Sequence, residues 1–572
     1  MEREPSESWD VVVVGSGPGG RTTSACLAAT GRRVLVLEAH DLAGGNAQVF
    51  RRHPRSEDGS RATYEFDVGV HYLGDINPGG LFPSIFTSLG VGDRVRFLPL
   101  DPDGFDTLEF PDLEVRVPAD WDEYQRRLVD AFPDDRAALG RCVQTLRDVA
   151  DESRNRLIPG VETPTFDHWA FRPLSELFAE CELSPKASAV LDHWSGLYGG
   201  GPRQTAVAMH ASIIDHYLRG AYYPEGGGQV LPARLIQVIE AHGGEVRTLT
   251  PVREITVRDR RAEGVVLDDG TVIEAPLVIS NTDYARTVTG LVDRSQWDPA
   301  TLDWVENATM TVGLVCVYVV VDIELDGPNT NYFVYSNYDT DDLYDRLYAG
   351  TGMGDDELFA YIAMASRKDP GNEHLCPPGH TNFQVMTLAP AGYDYWGIEA
   401  GPADGGSYRR SDAYRARKQA VTDHLLAAAE QVLGPFRDHI VHVETATPLS
   451  QERYTHSTGG TSYGYVHSPD QSGHNRPAHR TEIEGLWVVG AKTTEGHGIA
   501  GTMVGGVACA GEILDRPLLV EMILGQALVD PASIPPDPPD FDPMEWSRGA
   551  RLRERRAAGR AARAEASEGA SR

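Results

Sequence analysis

A glycine-rich turn between two apolar segments near the N-terminus constrains the fold more than any other feature of this sequence. Residues 11–20 read Val-Val-Val-Val-Gly-Ser-Gly-Pro-Gly-Gly, and Glu38 ends the next apolar segment. The order strand, G-x-G-x-x-G, helix, strand and acid is typical of a β-α-β unit that binds a dinucleotide. The sequence therefore predicts an α/β fold that contains a Rossmann-type parallel sheet.

Each glycine of the G-x-G-x-x-G pattern has a physical role in holding a dinucleotide. Gly15 permits the tight turn, Gly17 lets the backbone approach a pyrophosphate, and Gly20 lets helix and strand pack closely. Glu38 accepts hydrogen bonds from ribose hydroxyls and would repel a 2′-phosphate, which disfavours NADP. The residues predicted to bind the dinucleotide in this unit are Gly15, Gly17, Pro18, Gly19, Gly20, Glu38 and Ala39.

Two further glycine segments favour FAD over NAD as the cofactor. Gly44, Gly45 and Asn46 follow the second strand almost at once and give room for a loop beside a long cofactor. Near the other end of the chain, a short apolar strand runs into Gly490, and residues 495–501 (Glu-Gly-His-Gly-Ile-Ala-Gly) precede an apolar helix. A helix N-terminus joined to a strand by glycines can hold flavin oxygens. The two ends of the chain are thus predicted to share one FAD.

Four segments carry a resemblance to a known family: the N-terminal unit through Gly45, residues 66–74, residues 209–227, and residues 490–501. On these segments the sequence resembles the phytoene desaturase superfamily of flavoproteins, especially its branch of carotenoid isomerases and retinol saturases, over roughly residues 8–520. The resemblance implies a Rossmann-type FAD-binding domain with an inserted α+β substrate domain made of a mixed sheet and helices. It also implies an apolar tunnel that leads to the flavin.

The expected domain limits follow from this resemblance and from changes in composition along the chain. A discontinuous FAD-binding domain is expected over residues 1–95, 221–290 and 480–520. The substrate-binding domain is expected over residues 96–220 and 291–479. Residues 531–572 are first rich in Pro and Asp and then in Arg and Ala, and they are expected to form a flexible tail.

The resemblance also implies further site residues. Its additional cofactor-binding positions are Gly44, Gly45, Asn46, Gly69, Val70, His71, Val252, Gly490, Gly498 and Ile499. His71 and His497 are candidates for proton transfer because histidine titrates near neutrality. Tyr72 is a candidate for orienting a polar substrate end, and Glu495 is a polar addition to the second flavin loop. A hydrogen bond from His71 to the cofactor or backbone is an equally open interpretation, and no metal site is predicted.

The resemblance implies an FAD-dependent oxidoreductase that desaturates, saturates or isomerises C=C bonds of an apolar polyene, isoprenoid or related lipid. One alternative is a flavin amine oxidase-like enzyme, whose substrates favour an aromatic cage beside the flavin. The other is a non-enzymatic prenyl- or lipid-binding escort protein, which has no need of the phosphate-binding glycines and Glu38. No second G-x-G-x-x-G segment suggests a built-in NAD(P)H site, so an external electron donor or acceptor is expected.

Charge and hydropathy narrow the range of partners. The chain has 52 Lys and Arg against 84 Asp and Glu, a net charge of −32, which disfavours nucleic acid. The first ten residues lack a basic segment followed by an apolar one, so no secretory signal is expected. The longest apolar run, Val312 to Val321, is too short to cross a bilayer. A cytoplasmic protein is expected, with peripheral membrane contact through the Arg-rich tail as an alternative.

Overall fold

The structure is a computed structural model that describes residues 9–54, 61–156, 160–352 and 359–559. Its strands are β1 (Val11–Val14), β2 (Val34–Leu37), β3 (Val49–Arg52), β4 (Tyr64–Asp67), β5 (Phe97–Pro99), β6 (Asp106–Phe110), β7 (Leu113–Val117), β8 (Tyr222–Pro224), β9 (Glu245–Arg247), β10 (Val252–Arg258), β11 (Arg261–Leu267), β12 (Val272–Glu274), β13 (Leu277–Ser280), β14 (Gly313–Val321), β15 (Asn331–Tyr335), β16 (Phe359–Ala363), β17 (Thr381–Ala389), β18 (Ile440–Ala446) and β19 (Leu486–Val488). Its α-helices are α1 (Pro18–Ala29), α2 (Leu81–Ser88), α3 (Trp121–Ala131), α4 (Arg136–Asn155), α5 (Pro164–Trp169), α6 (Leu174–Glu180), α7 (Pro185–Leu191), α8 (Val207–Leu218), α9 (Val230–Ala241), α10 (Tyr284–Arg286), α11 (Pro299–Asn307), α12 (Thr340–Tyr348), α13 (Ala365–Lys368), α14 (Asp412–Leu433), α15 (Pro448–Thr455), α16 (Gly498–Leu514), α17 (Leu518–Ile523) and α18 (Pro543–Trp546).

A five-stranded parallel sheet forms the first layer, in the order β19-β13-β1-β2-β9. Central strand β1 pairs with β13 on one side and β2 on the other, with Val12 opposite Val278 and Leu35. Alternate residues of β1 enter different cores, because Val11 and Val13 belong to one cluster and Val12 and Val14 to another. Burial on both faces explains why the strand is an unbroken apolar run.

Helices α1, α9 and α16 pack together over one face of this sheet. The crossing of α1 and α16 depends on Gly506, where a Cβ would lie 2.5 Å from the Gly19 carbonyl oxygen. Glycine therefore sets the close approach of the N-terminal and C-terminal ends of the chain. In the described part of the chain, no helix combines the length and the apolar character needed to cross a membrane.

A seven-stranded mixed sheet forms the second layer, in the order β18-β14-β17-β16-β15-β6-β7. β15 and β6 are parallel and the other neighbours are antiparallel. One face of β14 (Val315, Val317 and Val319) packs in a core with residues of α14, and alternate residues point to the other face. The predicted α/β class, a Rossmann-type sheet with an inserted mixed sheet and helices, is confirmed.

The five strands of the parallel sheet fall within the ranges predicted for the FAD-binding domain, and the strands of the mixed sheet fall within those predicted for the substrate domain. The exact domain limits stay a prediction.

The C-terminal segment corrects one sequence prediction. Residues 531–559, which we call the C-terminal strap, pack on the protein instead of forming a flexible tail, and they include a helical stretch over residues 550–559. Arg234 donates to Asp537 at 2.7 and 2.8 Å, and Arg51 donates to Asp542 at 2.6 and 2.9 Å. Composition predicted an extended segment but carried no information about these distant acid–base partners. Residues 560–572 of the predicted tail lie outside the described residues.

Candidate active site

A single cavity of about 1350 Å³ joins the two sheets. At one end it begins at the carboxyl ends of β1 and β13, and at the other it is lined by the face of the mixed sheet that carries Cys316 and Met386. Single small-molecule sites commonly measure about 300–1,000 Å³. The volume therefore suits a cofactor and a substrate held side by side.

Backbone atoms form the surface of the glycine-rich end of the cavity. The backbone of Gly17 is extended (φ −61°), but a Cβ there would lie 2.6 Å from Asn281 Nδ2. Gly45 has φ +55°, and its Cβ would lie 2.9 Å from Gly17 Cα. The Gly20 N–H in the first turn of α1 donates to the Asn281 side chain, and Gly17, which has no side chain, leaves the positive end of the helix dipole facing the cavity. This cradle, which any side chain would fill, is suited to an anion such as a diphosphate.

Glu38 is fixed beside this cradle by backbone and hydroxyl donors. Its Oε2 accepts hydrogen bonds from the Ser16 N–H at 2.9 Å and from the Ser16 hydroxyl at 2.5 Å, and its Oε1 accepts one from the His40 N–H at 2.8 Å. The Ser16 hydroxyl in turn accepts from the Gly44 N–H at 3.1 Å. The carboxylate, the first glycine turn and the second glycine pair thus form one rigid unit that can present Glu38 to a ribose.

A buried arginine lies behind the glycine cradle. Arg21 is 1% exposed, and among the described residues its Nε and Nη1 have no hydrogen-bond partner. Its Nη2 donates weakly to the Gly44 carbonyl at 3.4 Å. Burial lowers the pKa of Arg21 to about 9, with a smaller opposing effect of Glu38. Unsatisfied positive donors next to an anion cradle agree with a negatively charged cofactor, so the residues present fit FAD.

Most of the predicted cofactor-binding residues line the cavity. These are Gly15, Gly17, Pro18, Gly19, Glu38, Ala39, Gly45, Asn46, Gly69, His71, Val252, Gly490, Gly498 and Ile499. Gly20, Gly44 and Val70 lie behind the lining. Gly20 packs against the Gly15 carbonyl, where a Cβ would approach to 2.8 Å, and Val70 is buried in the core around α1.

His71 lies on the cavity wall together with Tyr361 of β16, which the sequence reasoning missed. The two rings have centroids 5.9 Å apart. Among the described residues, neither His71 Nδ1 nor the Tyr361 hydroxyl has a hydrogen-bond partner. Burial, assisted by Lys368, lowers the pKa of His71 to about 3, and burial raises the pKa of Tyr361 well above its usual value. Both groups are therefore neutral, and both have a free polar atom next to the apolar part of the cavity.

His497 also lines the cavity, but its two ring nitrogens are occupied. Nε2 donates to the Leu197 carbonyl at 2.9 Å, so Nδ1 of the neutral ring accepts from His467 Nε2 at 2.8 Å. Burial lowers the pKa of His497 to about 4. The ring therefore joins the second glycine loop to residue 197 of the inserted domain and has no free nitrogen for proton transfer.

Tyr72 and Glu495 lie away from the cavity, which corrects their prediction as catalytic residues. The Tyr72 hydroxyl donates to buried Asp106 at 3.1 Å, and its ring stacks on Tyr217. Glu495 pairs with His479 Nε2 at 2.9 Å. Tyr72 is bonded to a residue from a distant part of the chain and Glu495 to one on a neighbouring loop, and the local sequence gave no sign of either pairing.

The segment after β13 contributes to the cavity and was not predicted as part of the site. Asn281 Oδ1 accepts from the Gly20 N–H at 3.0 Å. Asp283 forms a buried pair with Lys492, at 2.5 Å, and also accepts from the Thr458 N–H at 2.7 Å. A usable signal was present, because polar residues directly after a parallel strand lie at the edge where ligands bind in such sheets.

Comparisons with known proteins agree with this site. A family profile described as flavin containing amine oxidoreductase matches residues 20–325. The chain is 28% identical over 551 residues to the all-trans-retinol 13,14-reductase of Danio rerio, covering 90% of this chain and 87% of that protein. It is 25% identical over 537 residues to prolycopene isomerase 2, chloroplastic, of an Oncidium hybrid cultivar, covering 89% and 84%. The structure of putrescine oxidase bound to putrescine matches in fold, with a TM-score of 0.56 and 14% identity over 90% of this chain and 100% of that chain.

The fold and the site define an FAD-dependent oxidoreductase. The matched profile spans more than half of the chain, and the chain belongs to the family of flavin containing amine oxidoreductases. The resemblance to retinol saturases and carotenoid isomerases, predicted from four sequence segments, is confirmed by the relatives named above.

Proposed function

We propose that this FAD-dependent oxidoreductase acts on an apolar polyene or isoprenoid and changes its C=C bonds by saturation, desaturation or isomerisation. The observation that carries the proposal is the single cavity that continues from the glycine cradle to an apolar sheet face. Relatives that cover most of the chain are a retinol reductase and a prolycopene isomerase. Such substrates need a long apolar surface next to the flavin, and this cavity supplies one.

We assign cofactor binding to the residues around the cradle. Gly17, Gly19 and Gly45 would face the diphosphate, and Glu38 would accept hydrogen bonds from the ribose of the adenosine. Bound FAD supplies the exchange of a hydride and electrons with the substrate. His497 would hold the second glycine loop in register with the inserted domain through its bonds to Leu197 and His467.

The inner wall of the cavity would hold the polyene. Leu314, Cys316, Phe359 and Met386 present an apolar surface there, and Tyr361 and His71 add two polar atoms to it. Addition or removal of hydrogen across a C=C bond needs a proton as well as a hydride. We assign the proton to the hydroxyl of Tyr361, with His71 as its neutral neighbour, because both residues line the cavity and neither the Tyr361 hydroxyl nor His71 Nδ1 is bonded by another described residue.

Amine oxidation is the second candidate, and one observation favours it. Tyr361 and Tyr463 both line the inner cavity, and paired aromatic rings attract cations. The outer cavity opposes it, because Arg409 and Lys418 line that part and repel a cationic substrate. The proposal for a polyene therefore ranks first.

The visible absorption of the flavin under strict anaerobiosis tests the choice of substrate class. We expect all-trans-retinol to perturb the flavin band of the oxidised protein or to change its redox state, either directly or after chemical reduction. We expect putrescine and cyclohexylamine to leave the band unchanged. Rapid bleaching by an amine, with no response to the polyene in either redox state, would overturn the proposal.

A matched pair of variants tests the role of Tyr361. Tyr361→Phe removes the free hydroxyl and should slow the reaction of bound polyene by about 100-fold, since general acid–base groups contribute roughly 10²–10⁴-fold. Polyene binding and flavin content should stay at the wild-type level. Tyr332→Phe on the adjacent strand, whose ring packs in the core on the other side of the sheet, is the control and should react at the wild-type rate. Equal rates for both variants would remove Tyr361 from the reaction.

A further inference from the structure

Basic side chains from three segments surround the outer part of the cavity. We call Arg52 of β3, Arg409, and Arg415 and Lys418 of α14 the basic rim. Arg409 and Arg415 are exposed, and Lys418 is half-buried. The rim is positive in a chain whose net charge is −32, so its charge is a local property of this opening.

Two of these cations lack a matching carboxylate. Arg52 is held by Glu444 through bonds of 2.6 and 2.8 Å, and Arg415 pairs with Asp412. Within the described ranges, neither Arg409 nor Lys418 has an acidic oxygen within 4.0 Å. Burial lowers the pKa of Lys418 and Arg409 lowers it further, while Glu444 raises it. Two neighbouring cations without an acidic partner repel each other, and a bound anion would relieve that repulsion.

The apolar inner wall of the cavity borders the basic rim. Strand register places Ala446, Cys316, Met386 and Tyr361 in one row across four strands. The next row outward contains Tyr318, opposite Glu444. Two residues along a strand correspond to roughly 7 Å. A ligand that touches both regions therefore needs an apolar chain with a charged end.

The diphosphate of FAD does not account for the basic rim. Its cradle is formed by Gly17 and Gly45, which are in contact with each other. Arg52 is the last residue of β3, and it lies three residues, or roughly 10 Å, beyond Val49 along that strand. Strand β3 runs from the loop of the glycine cradle to the basic rim, so the cradle and the rim lie at opposite ends of this strand.

We infer that the substrate has an anionic head group, a carboxylate or a phosphate ester, on its apolar chain, and that Arg409 and Lys418 bind this head group at the outer end of the cavity. The inference rests on the proposed function, since it describes the substrate of the same site. Arginine and lysine both bind carboxylates and phosphates, and two cations that no acidic side chain of the described residues neutralises also draw anions to the opening.

Binding of two retinoids that differ only in the head group tests the inference. All-trans-retinoic acid and all-trans-retinol are titrated into the oxidised holoprotein, and the shift of the flavin band gives each Kd. We expect retinoic acid to bind at least tenfold more tightly than retinol, and this advantage to shrink as KCl is raised. Arg409→Gln/Lys418→Gln should weaken retinoic acid about tenfold or more and leave retinol and flavin content unchanged. Arg410→Gln, at an exposed neighbour outside the cavity lining, is the control.

Equal affinity for the two retinoids in the wild type, or an unchanged preference in the double variant, would overturn the inference. If the double variant loses flavin or unfolds, the KCl series on the wild type decides, because a preference that does not depend on salt contradicts an ionic contact. Palmitate, hexadecyl phosphate and hexadecanol separate the two proposals and distinguish the two head groups. Salt-sensitive preference for either C16 anion supports the anion site even if no polyene binds, and preference for neither refutes it.

Discussion

The substitution Gly17→Val tests the glycine cradle directly. The backbone at this position is extended, with φ −61°, so any residue can adopt it and backbone strain does not require glycine. Space is the constraint, because a Cβ would lie 2.6 Å from Asn281 Nδ2. That amide cannot turn aside freely, since its Oδ1 accepts from the Gly20 N–H at 3.0 Å.

The expected size of the effect follows from overpacking. Forcing extra methyl groups into a filled site costs about 1–3 kcal/mol. Since about 1.4 kcal/mol corresponds to a factor of ten, FAD affinity should fall by roughly 5- to 150-fold. The valine methyl groups would occupy the space assigned to the diphosphate, and this overlap is the part of the cost that lowers FAD affinity, because the clash with Asn281 is present in the apoprotein too. The measurement is the Kd of FAD for apoprotein, from quenching of flavin fluorescence.

Gly140→Ala serves as the control. Gly140 lies within α4, where a Cβ would approach only Gln125 Nε2, at 3.8 Å, and alanine favours a helix. Its FAD affinity should equal that of the wild type. If Gly17→Val retains wild-type affinity for FAD while folding normally, the assignment of the diphosphate to this cradle is wrong.

Three further perturbations test other parts of the structure. Lys492→Met should lower the free energy of unfolding in urea by about 3–5 kcal/mol, because it leaves the buried carboxylate of Asp283 unpaired. The double variant Asp283→Asn/Lys492→Met should lose less stability, and equal losses in the two variants would refute the pairing. Burial lowers the pKa of Lys368 from 10.5 to about 7, so the unfolded chain binds more protons than the folded protein between these pH values. The free energy of unfolding of the wild type, relative to that of Lys368→Met, should therefore rise from pH 7 to pH 10. A difference between the two proteins that does not change with pH would contradict the burial of this charge. Truncation before residue 531 removes the C-terminal strap and should lower both the melting temperature and the flavin retained on gel filtration. Truncation after residue 559 keeps the contacts of the strap and is the control. Equal melting temperatures and equal flavin retention in the two truncated proteins would show that the strap does not stabilise the protein.

The cofactor end of the site was predictable because its signals are local. The turn from Gly15 to Gly20 and the acid at Glu38 lie within one β-α-β unit, and the geometry of that unit fixes where they meet. The second glycine segment was also identified, since it repeats the pattern of a strand that opens into glycine before a helix. Their meeting follows from the parallel pairing of β13 with β1 and with β19.

The substrate end was harder to predict because strand register decides it. Tyr361 lies in a strand whose residues are all buried, so the sequence does not indicate which of them face the cavity. The same holds for the catalytic candidates. Tyr72 and Glu495 were chosen by proximity in sequence to glycine loops, and each is turned away by a partner that lies far along the chain or on another loop. His497 lines the cavity, but both of its ring nitrogens are bonded within the protein, which the sequence did not indicate.

Product analysis after anaerobic incubation tests whether the protein changes the C=C bonds of a polyene. All-trans-retinol is incubated with the holoprotein in the oxidised state and, separately, in the chemically reduced state. The retinoids are then separated by chromatography, and their masses are determined by mass spectrometry. We expect a new retinoid in one of the two states, either with two hydrogens gained or lost or with unchanged mass and altered geometry. We also expect that Gly17→Val protein without bound flavin forms no new retinoid. Unchanged retinol in both states, together with oxidation of putrescine by the same preparation, would contradict the account.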